Sequence, residues 1–315
     1  MKALVTGGAG FIASHLAAAL LGEGHDVAVL DDLSTGRREN VPDAARFHEV
    51  DIRDGSAVSK VFSEEKPEIV FHYAAQASVV KSLQDPADDA QCNIVGSLQV
   101  IQQAIAHQVR RMVFASTGGA IYGDPERLPA DETHPARPLC PYGAAKLAVE
   151  QYLSMYSRIA GLPYTCLRYG NIFGPRQDPF GEAGVIAIFI GQVLRGESPR
   201  IFGDGTQTRD FVYVDDAVSA ALQALGSPGN EIYNIGTGRQ TSVLELVEAL
   251  SQVIGREVTP RFDPARVGEV AHIALDASKA ARTLGWRART RLVDGIAATV
   301  NWQRDQGDAV HKQQG

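Results

Sequence analysis

The chain has 315 residues, 44% hydrophobic and 21% charged, with a formal net charge of −7, which fits a globular enzyme of one large or two modest domains. The acidic balance and the lack of a Lys/Arg-rich run exclude an electrostatic nucleic-acid binder, and no apolar stretch reaches membrane-spanning length. Because the N-terminus already reads as a strand, no signal peptide is expected. The scattered, odd-numbered Cys92, Cys140 and Cys166 read as reduced thiols of a cytoplasmic protein, and the eight His show no metal-ligand spacing.

Ala3 to Val5 is a short apolar run of the kind that forms a fully buried parallel strand. Thr6 to Gly10 is a glycine-dense turn, and Phe11 to Leu21 is helical in pattern, stopped by Gly22 and Gly24. In the spacing Gly7-x-x-Gly10-x-x-Ala13, Gly7 makes the tight turn and Gly10 lets the backbone approach a pyrophosphate. The N–H groups that open the helix face that anion. Asp26 to Leu30 is a second strand, ending in Asp31-Asp32. An acid at that point binds the hydroxyls of an adenosine ribose and selects NAD, although Arg37 and Arg38 follow closely.

Strands are expected at Ala45–Val50, Ile69–Tyr73, Arg111–Ser116 and Tyr164–Tyr169. Helices are expected at Ala57–Glu64, Asp88–His107 and Tyr142–Ala160. This alternation predicts an α/β, Rossmann-type doubly wound parallel sheet, with ligands beyond the carboxyl ends of its strands. Beyond Asn171 the chain becomes rich in Gly and Pro. Helices are expected at Ala187–Arg195, Ala217–Leu225 and Thr241–Ile254, the last with a Ser242/Glu245 cap. Short strands are expected at Phe211–Val214 and Ile232–Ile235, and a frayed tail at 303–315. The organisation predicted is a cofactor domain over 1–170, with 211–237 returning to it, and a smaller α/β substrate lobe from 171–210 and 238–315.

Tyr142-Gly-Ala-Ala-Lys146 places Tyr and Lys four residues apart, on one face of a helix. A phenol is a poor base at neutral pH, and a neighbouring ammonium is expected to favour phenolate. Tyr142 can then exchange a proton with a sugar hydroxyl while Lys146 also holds the nicotinamide ribose. Chance alone gives roughly 0.2 such Tyr/Lys pairs in a chain of this composition, so the weight rests on position. The pair opens the helix that follows the Ser116-Thr117 strand end.

With these segments together, the chain resembles the extended short-chain dehydrogenases/reductases, and among them nucleotide-sugar epimerases of the UDP-glucose 4-epimerase kind. The resemblance runs almost end to end. It is carried by Thr6–His15, Asp31–Gly36, Asp51–Asp54, His72–Gln76, Phe114–Gly123, Tyr142–Lys146, Arg168–Gln177 and Phe202–Asp216. It implies that Phe11, Ile12, Asp31, Asp32, Leu33, Ser34, Thr35 and Gly36 surround NAD, with Asp51 and Ile52 beside the adenine. Ala74, Ala75, Gln76 and Asn93 would line the same cofactor. Thr117 corresponds to the hydroxyl residue that meets the reacting sugar oxygen, with Ser116 in reserve because a Gly is inserted. Asn171, Arg209 and Arg266 would hold the substrate diphosphate, and Glu269 a ribose hydroxyl. The helices at 88–107 and 142–160 resemble a pair that builds a homodimer interface.

The implied reaction is NAD-dependent C4 epimerisation of a UDP-sugar through a transient 4-keto sugar. Related 4,6-dehydratases carry Thr-Asp-Glu, and decarboxylases Thr-Ser-Glu, where this chain has Thr117-Gly118-Gly119. Epimerisation needs neither acid. A non-catalytic NAD sensor is the alternative of another class, and it would have no need of Tyr142 and Lys146.

Overall fold

The computed structural model describes residues 1–180, 184–265 and 270–313, with side chains to residue 306. Six parallel strands, β1 (Lys2–Thr6), β2 (Asp26–Asp31), β3 (Arg46–Glu49), β4 (Ile69–His72), β5 (Arg111–Thr117) and β6 (Tyr164–Tyr169), are joined by Glu231–Ile235 in one sheet. Its order is Glu231–Ile235, β6, β5, β4, β1, β2, β3. The strand order reverses between β1 and β4, and that switch point is where such sheets open a crevice for ligand.

Strand alternation divides the core into two layers. Leu4, Leu30, Val70 and Phe114 enter one cluster, while Val5, Val29, Phe71 and Val113 enter the other. Each such side chain contributes about 1.5–3 kcal/mol on full burial, which holds the strand ends in a fixed relation. The helix α1 (Phe11–Gly22) covers one face, and Gly55–Glu65, Ser97–Ala106 and Pro141–Ile159 lie on the chain between strands. The predicted capping box is present: Ser242 Oγ accepts from Glu245 N, and Glu245 Oε2 from Ser242 N.

Four expectations are corrected. The helix predicted at 88–107 begins at Pro86 and passes through a π-helical stretch, Gln91–Gly96, before Ser97–Ala106. Of the returning segment 211–237, only Glu231–Ile235 enters the main sheet, beside β6. Phe211–Tyr213 instead pairs in parallel with Asn171–Phe173, forming a separate ribbon. The polar tail is helical as far as Gln313, as the end of helix Leu292–Gln313. Its apolar stripe, which includes the buried Ile296 and Val300, anchors the earlier turns and lets a polar sequence continue the helix.

Candidate active site

The switch point is built by close backbone approach. Gly7 has φ +72°, and a Cβ there would lie 2.6 Å from Ala74 N, so only Gly lets the turn after β1 meet the turn after β4. Thr6 Oγ1 accepts from the N–H groups of Tyr73 and Ala74 and shares a 2.7 Å hydrogen bond with His72 Nδ1. His72 is fully buried, and burial pulls its pKa down to about 3, so it is a neutral strut. Gln76 is clasped at both backbone groups by buried Asn93, each at 2.9 Å. Asn93 therefore braces the Ala74–Ala77 turn with both ends of its side chain.

Asp31 is 6% exposed. Its Oδ2 accepts from Ala9 N at 3.0 Å and its Oδ1 from Leu33 N at 2.9 Å. Burial raises its pKa despite these bonds. A Cβ on Gly36 would lie 2.7 Å from Asp31 Oδ1, so that glycine leaves a cradle over the carboxylate, as a ribose diol requires. Asp32 is different: exposed, it caps its own turn through Ser34 N and Oγ. Phe11 and Ile12 open α1, Leu33 has φ +58°, and Ser34 and Thr35 are exposed beside it. Asp51 is tied to Arg53, at 2.8 Å from Nε, and the buried Ile52 lies under Gly96.

Across the sheet, β5 delivers Ser116 and Thr117, and helix Pro141–Ile159 delivers Tyr142 and Lys146. The Tyr142 phenol lies beside the Thr117 hydroxyl, which favours its ionised form. Lys146 is 3% exposed. Its Nζ donates to Ala115 O at 3.0 Å and lies 5.9 Å from the Tyr142 ring centroid. Burial pulls the Lys146 pKa down to about 8, opposed by the nearby Cys92 thiol and Asp89 carboxylate.

One expectation about this pair is corrected. Burial, with Cys140 and Asp89 nearby, pushes the Tyr142 phenol above its ordinary range, and the neighbouring Thr117 hydroxyl offsets only part of that. Desolvation thus outweighs the ammonium in the chain by itself. Ser116, the reserve, is 4% exposed and donates to Glu150 Oε1 at 2.6 Å.

Asn171 lies near the same turn: a Cβ on Gly119 would lie 3.4 Å from Asn171 Oδ1 and 3.9 Å from Thr117 Oγ1. Gly118 is tighter, because a Cβ there would press on the Leu275 side chain. Leu275 is fixed by Asp210, whose Oδ2 accepts from Leu275 N at 3.0 Å. Half-buried Arg209 turns its guanidinium to Thr208 O at 2.8 Å. Arg266 and Glu269 lie outside the described residues.

Two further acids lie beside these residues, Glu150 and Asp89. Glu150 continues the i, i+4 series of Tyr142 and Lys146 along one helix face, a signal that was present in the spacing. Asp89 is 2% exposed. Its Oδ1 accepts from Gln76 and Asn93, while Oδ2 is buried without a partner. No local pattern marked Asp89, because its role depends on the turn packed against it.

Comparison with known proteins gives a consistent result. The sequence profile described as the NAD dependent epimerase/dehydratase family matches residues 3–236. A UDP-glucose 4-epimerase of Mycolicibacterium smegmatis is 44% identical over 311 residues, 97% of this chain and 99% of that one. The structure resembles that of a UDP-glucose 4-epimerase from Thermotoga maritima with UDP-glucose, at 48% identity and TM-score 0.95, covering 97% of this chain and 99% of that one. It also resembles a Thermus thermophilus UDP-glucose 4-epimerase in complex with NAD, at 45% identity and TM-score 0.93, covering 96% of this chain and 99% of that one.

Proposed function

Since the chain belongs to the NAD dependent epimerase/dehydratase family, we propose that it interconverts C4 epimers of a UDP-sugar, UDP-glucose and UDP-galactose foremost, through a transient 4-keto sugar. The observation that carries this reading is the Tyr142 phenol set beside the Thr117 hydroxyl, with buried Lys146 one helical turn further along. One residue exchanges the proton of a hydroxyl and the other orients that oxygen. The cradle at Asp31 and Gly36, the Gly7 turn and Lys146 fit NAD. When bound, NAD accepts and returns the C4 hydride, and its positive ring favours the Tyr142 phenolate that burial disfavours.

Tyr142 takes the proton of the 4-hydroxyl and returns it after the ketone has presented its other face. Thr117 holds that oxygen in line. Asn171, Arg209, Arg266 and Glu269 are proposed to hold the nucleotide while the sugar moves, with arginines suited to bidentate phosphate contact. Gly118 and Gly119 carry no acid for dehydration, and a side chain at 118 would have to displace Leu275.

The protein is further read as a cytoplasmic homodimer, with a cofactor domain and a substrate lobe divided as the sequence suggests. Three free cysteines support the location. No helix among the described residues is long and apolar enough to cross a membrane. The exposed Val95, Met155 and Ile159, on the two helices expected at the interface, support the dimer.

The test is incubation with UDP-glucose and with UDP-galactose, followed by chromatography. Each should yield the other with no net change in NAD redox state, and Tyr142→Phe should lower turnover by ~10²–10⁴. Accumulation of a 4-keto-6-deoxy sugar would make the enzyme a dehydratase, and undiminished turnover in Tyr142→Phe would remove Tyr142 as the base.

A further inference from the structure

The loop that follows the strand Asn171–Phe173 folds back onto the start of α1. His15 Nε2 and Pro175 O are 3.0 Å apart. Arg176 Nη1 donates to Ser14 Oγ at 3.2 Å, and Ser14 Oγ donates to Phe11 O at 3.0 Å. The guanidinium therefore lies against the first turn of α1, the turn that opens directly after Gly7 and Gly10. Arg176 is held at φ +67°, a conformation uncommon for a residue with a Cβ.

The surroundings leave this cation without an anion. Arg176 is half-buried, and desolvation lowers its pKa. Among the described residues no carboxylate forms an ion pair with it. Asp178, two residues on, turns to Arg37 at 4.0 Å, and Asp215 acts on His15. A desolvated guanidinium with one neutral hydroxyl partner is costly unless an external anion completes it. It also lies at the helix start whose free N–H groups attract the same kind of anion.

We propose that Arg176 is a ligand of the dinucleotide pyrophosphate, held against the first turn of the helix that opens after Gly7 and Gly10. The assignment rests on the NAD reading above. Arg suits this position because its planar fork spans two phosphate oxygens. Both ends of the pyrophosphate site then come from segments more than 150 residues apart in the chain, as the separation of Ser14 and Arg176 requires.

Calorimetric titration of nucleotide-stripped protein tests this, with NAD, ADP-ribose and adenosine as ligands. Arg176→Met keeps an apolar stem and should weaken NAD and ADP-ribose at least about tenfold, leaving adenosine, which lacks phosphate, unchanged. Arg176→Lys keeps the charge and stem and should fall between the two, and it carries the test if the Met variant does not fold. Equal NAD affinity in all three proteins would overturn the proposal. Equal weakening of adenosine would overturn it too, showing that Arg176 only pins the loop. Wild-type protein that binds none of the three would overturn the NAD reading itself.

Discussion

Ser116 gives its hydroxyl hydrogen to Glu150 across 2.6 Å, and this bond commits one of the two adjacent hydroxyls to the core. Glu150 also accepts from Arg168 Nε at 2.9 Å and Nη2 at 2.6 Å. Arg168 Nη1 donates to Tyr122 OH at 2.9 Å, and Tyr122 OH donates to Asn234 Oδ1 at 2.7 Å. The network ties β5, β6, the helix Pro141–Ile159 and the strand Glu231–Ile235 together beneath the site. Successive residues of a strand point to opposite faces, so the commitment of Ser116 to the core turns Thr117 toward Tyr142.

Thr117→Ala and Ser116→Ala should therefore have different effects. Thr117→Ala should lower turnover by about 10²-fold, the order expected when one hydrogen bond to a reacting oxygen is lost, with little change in Tm. Ser116→Ala leaves buried Glu150 one donor short and should cost about 1–3 kcal/mol of stability, with turnover changed only severalfold. Parallel measurement of kcat and Tm separates them. A Ser116→Ala enzyme with intact Tm and turnover as low as that of Thr117→Ala would reverse the assignment.

Lys146 gives the nucleotide-free protein a pH signature. Its pKa is about 8 in the folded chain, against an ordinary value of 10.5. Between these values the unfolded chain holds a proton that the folded chain has released, so stability rises with pH across that window. Below about pH 8 both states are protonated, and the full cost of the buried ammonium is present. The wild-type Tm should climb toward, or pass, that of Lys146→Met between pH 8 and pH 10.5. A constant difference between the two proteins across this range would show that Lys146 is not desolvated.

The proposed homodimer can be tested at two side chains. Met155 is 38% exposed and Ile159 70% exposed, one turn apart on the same helix face. A partner helix laid along them would exclude this apolar surface from water at about 25 cal/mol per Å². Sedimentation should give twice the chain mass for the wild type and a shift toward monomer for Met155→Glu/Ile159→Glu. A wild-type mass of one chain at every concentration would end the dimer reading.

Much of this protein was legible in local pattern. The alternation of strands and helices, the Gly7 and Gly10 turn, the acid at the end of β2, the Ser242/Glu245 cap and the Tyr142/Lys146 pair each depend on residues a few positions apart. Short-range spacing carries such features because backbone geometry repeats every two residues in a strand and about every 3.6 in a helix.

Other features belong to tertiary structure alone. The commitment of Ser116 to the core depends on Glu150, 34 residues away. The crowding at Gly118 depends on Leu275, and the upward shift of Tyr142 on burial that no window of sequence displays. Phe211–Tyr213 reads as a strand in either sheet, and only its pairing with Asn171–Phe173 places it. Arg176 looks like a surface charge until the chain brings it to Ser14, 162 residues away. Desolvation and partner geometry are properties of the packed interior, and they exist only once distant segments have met.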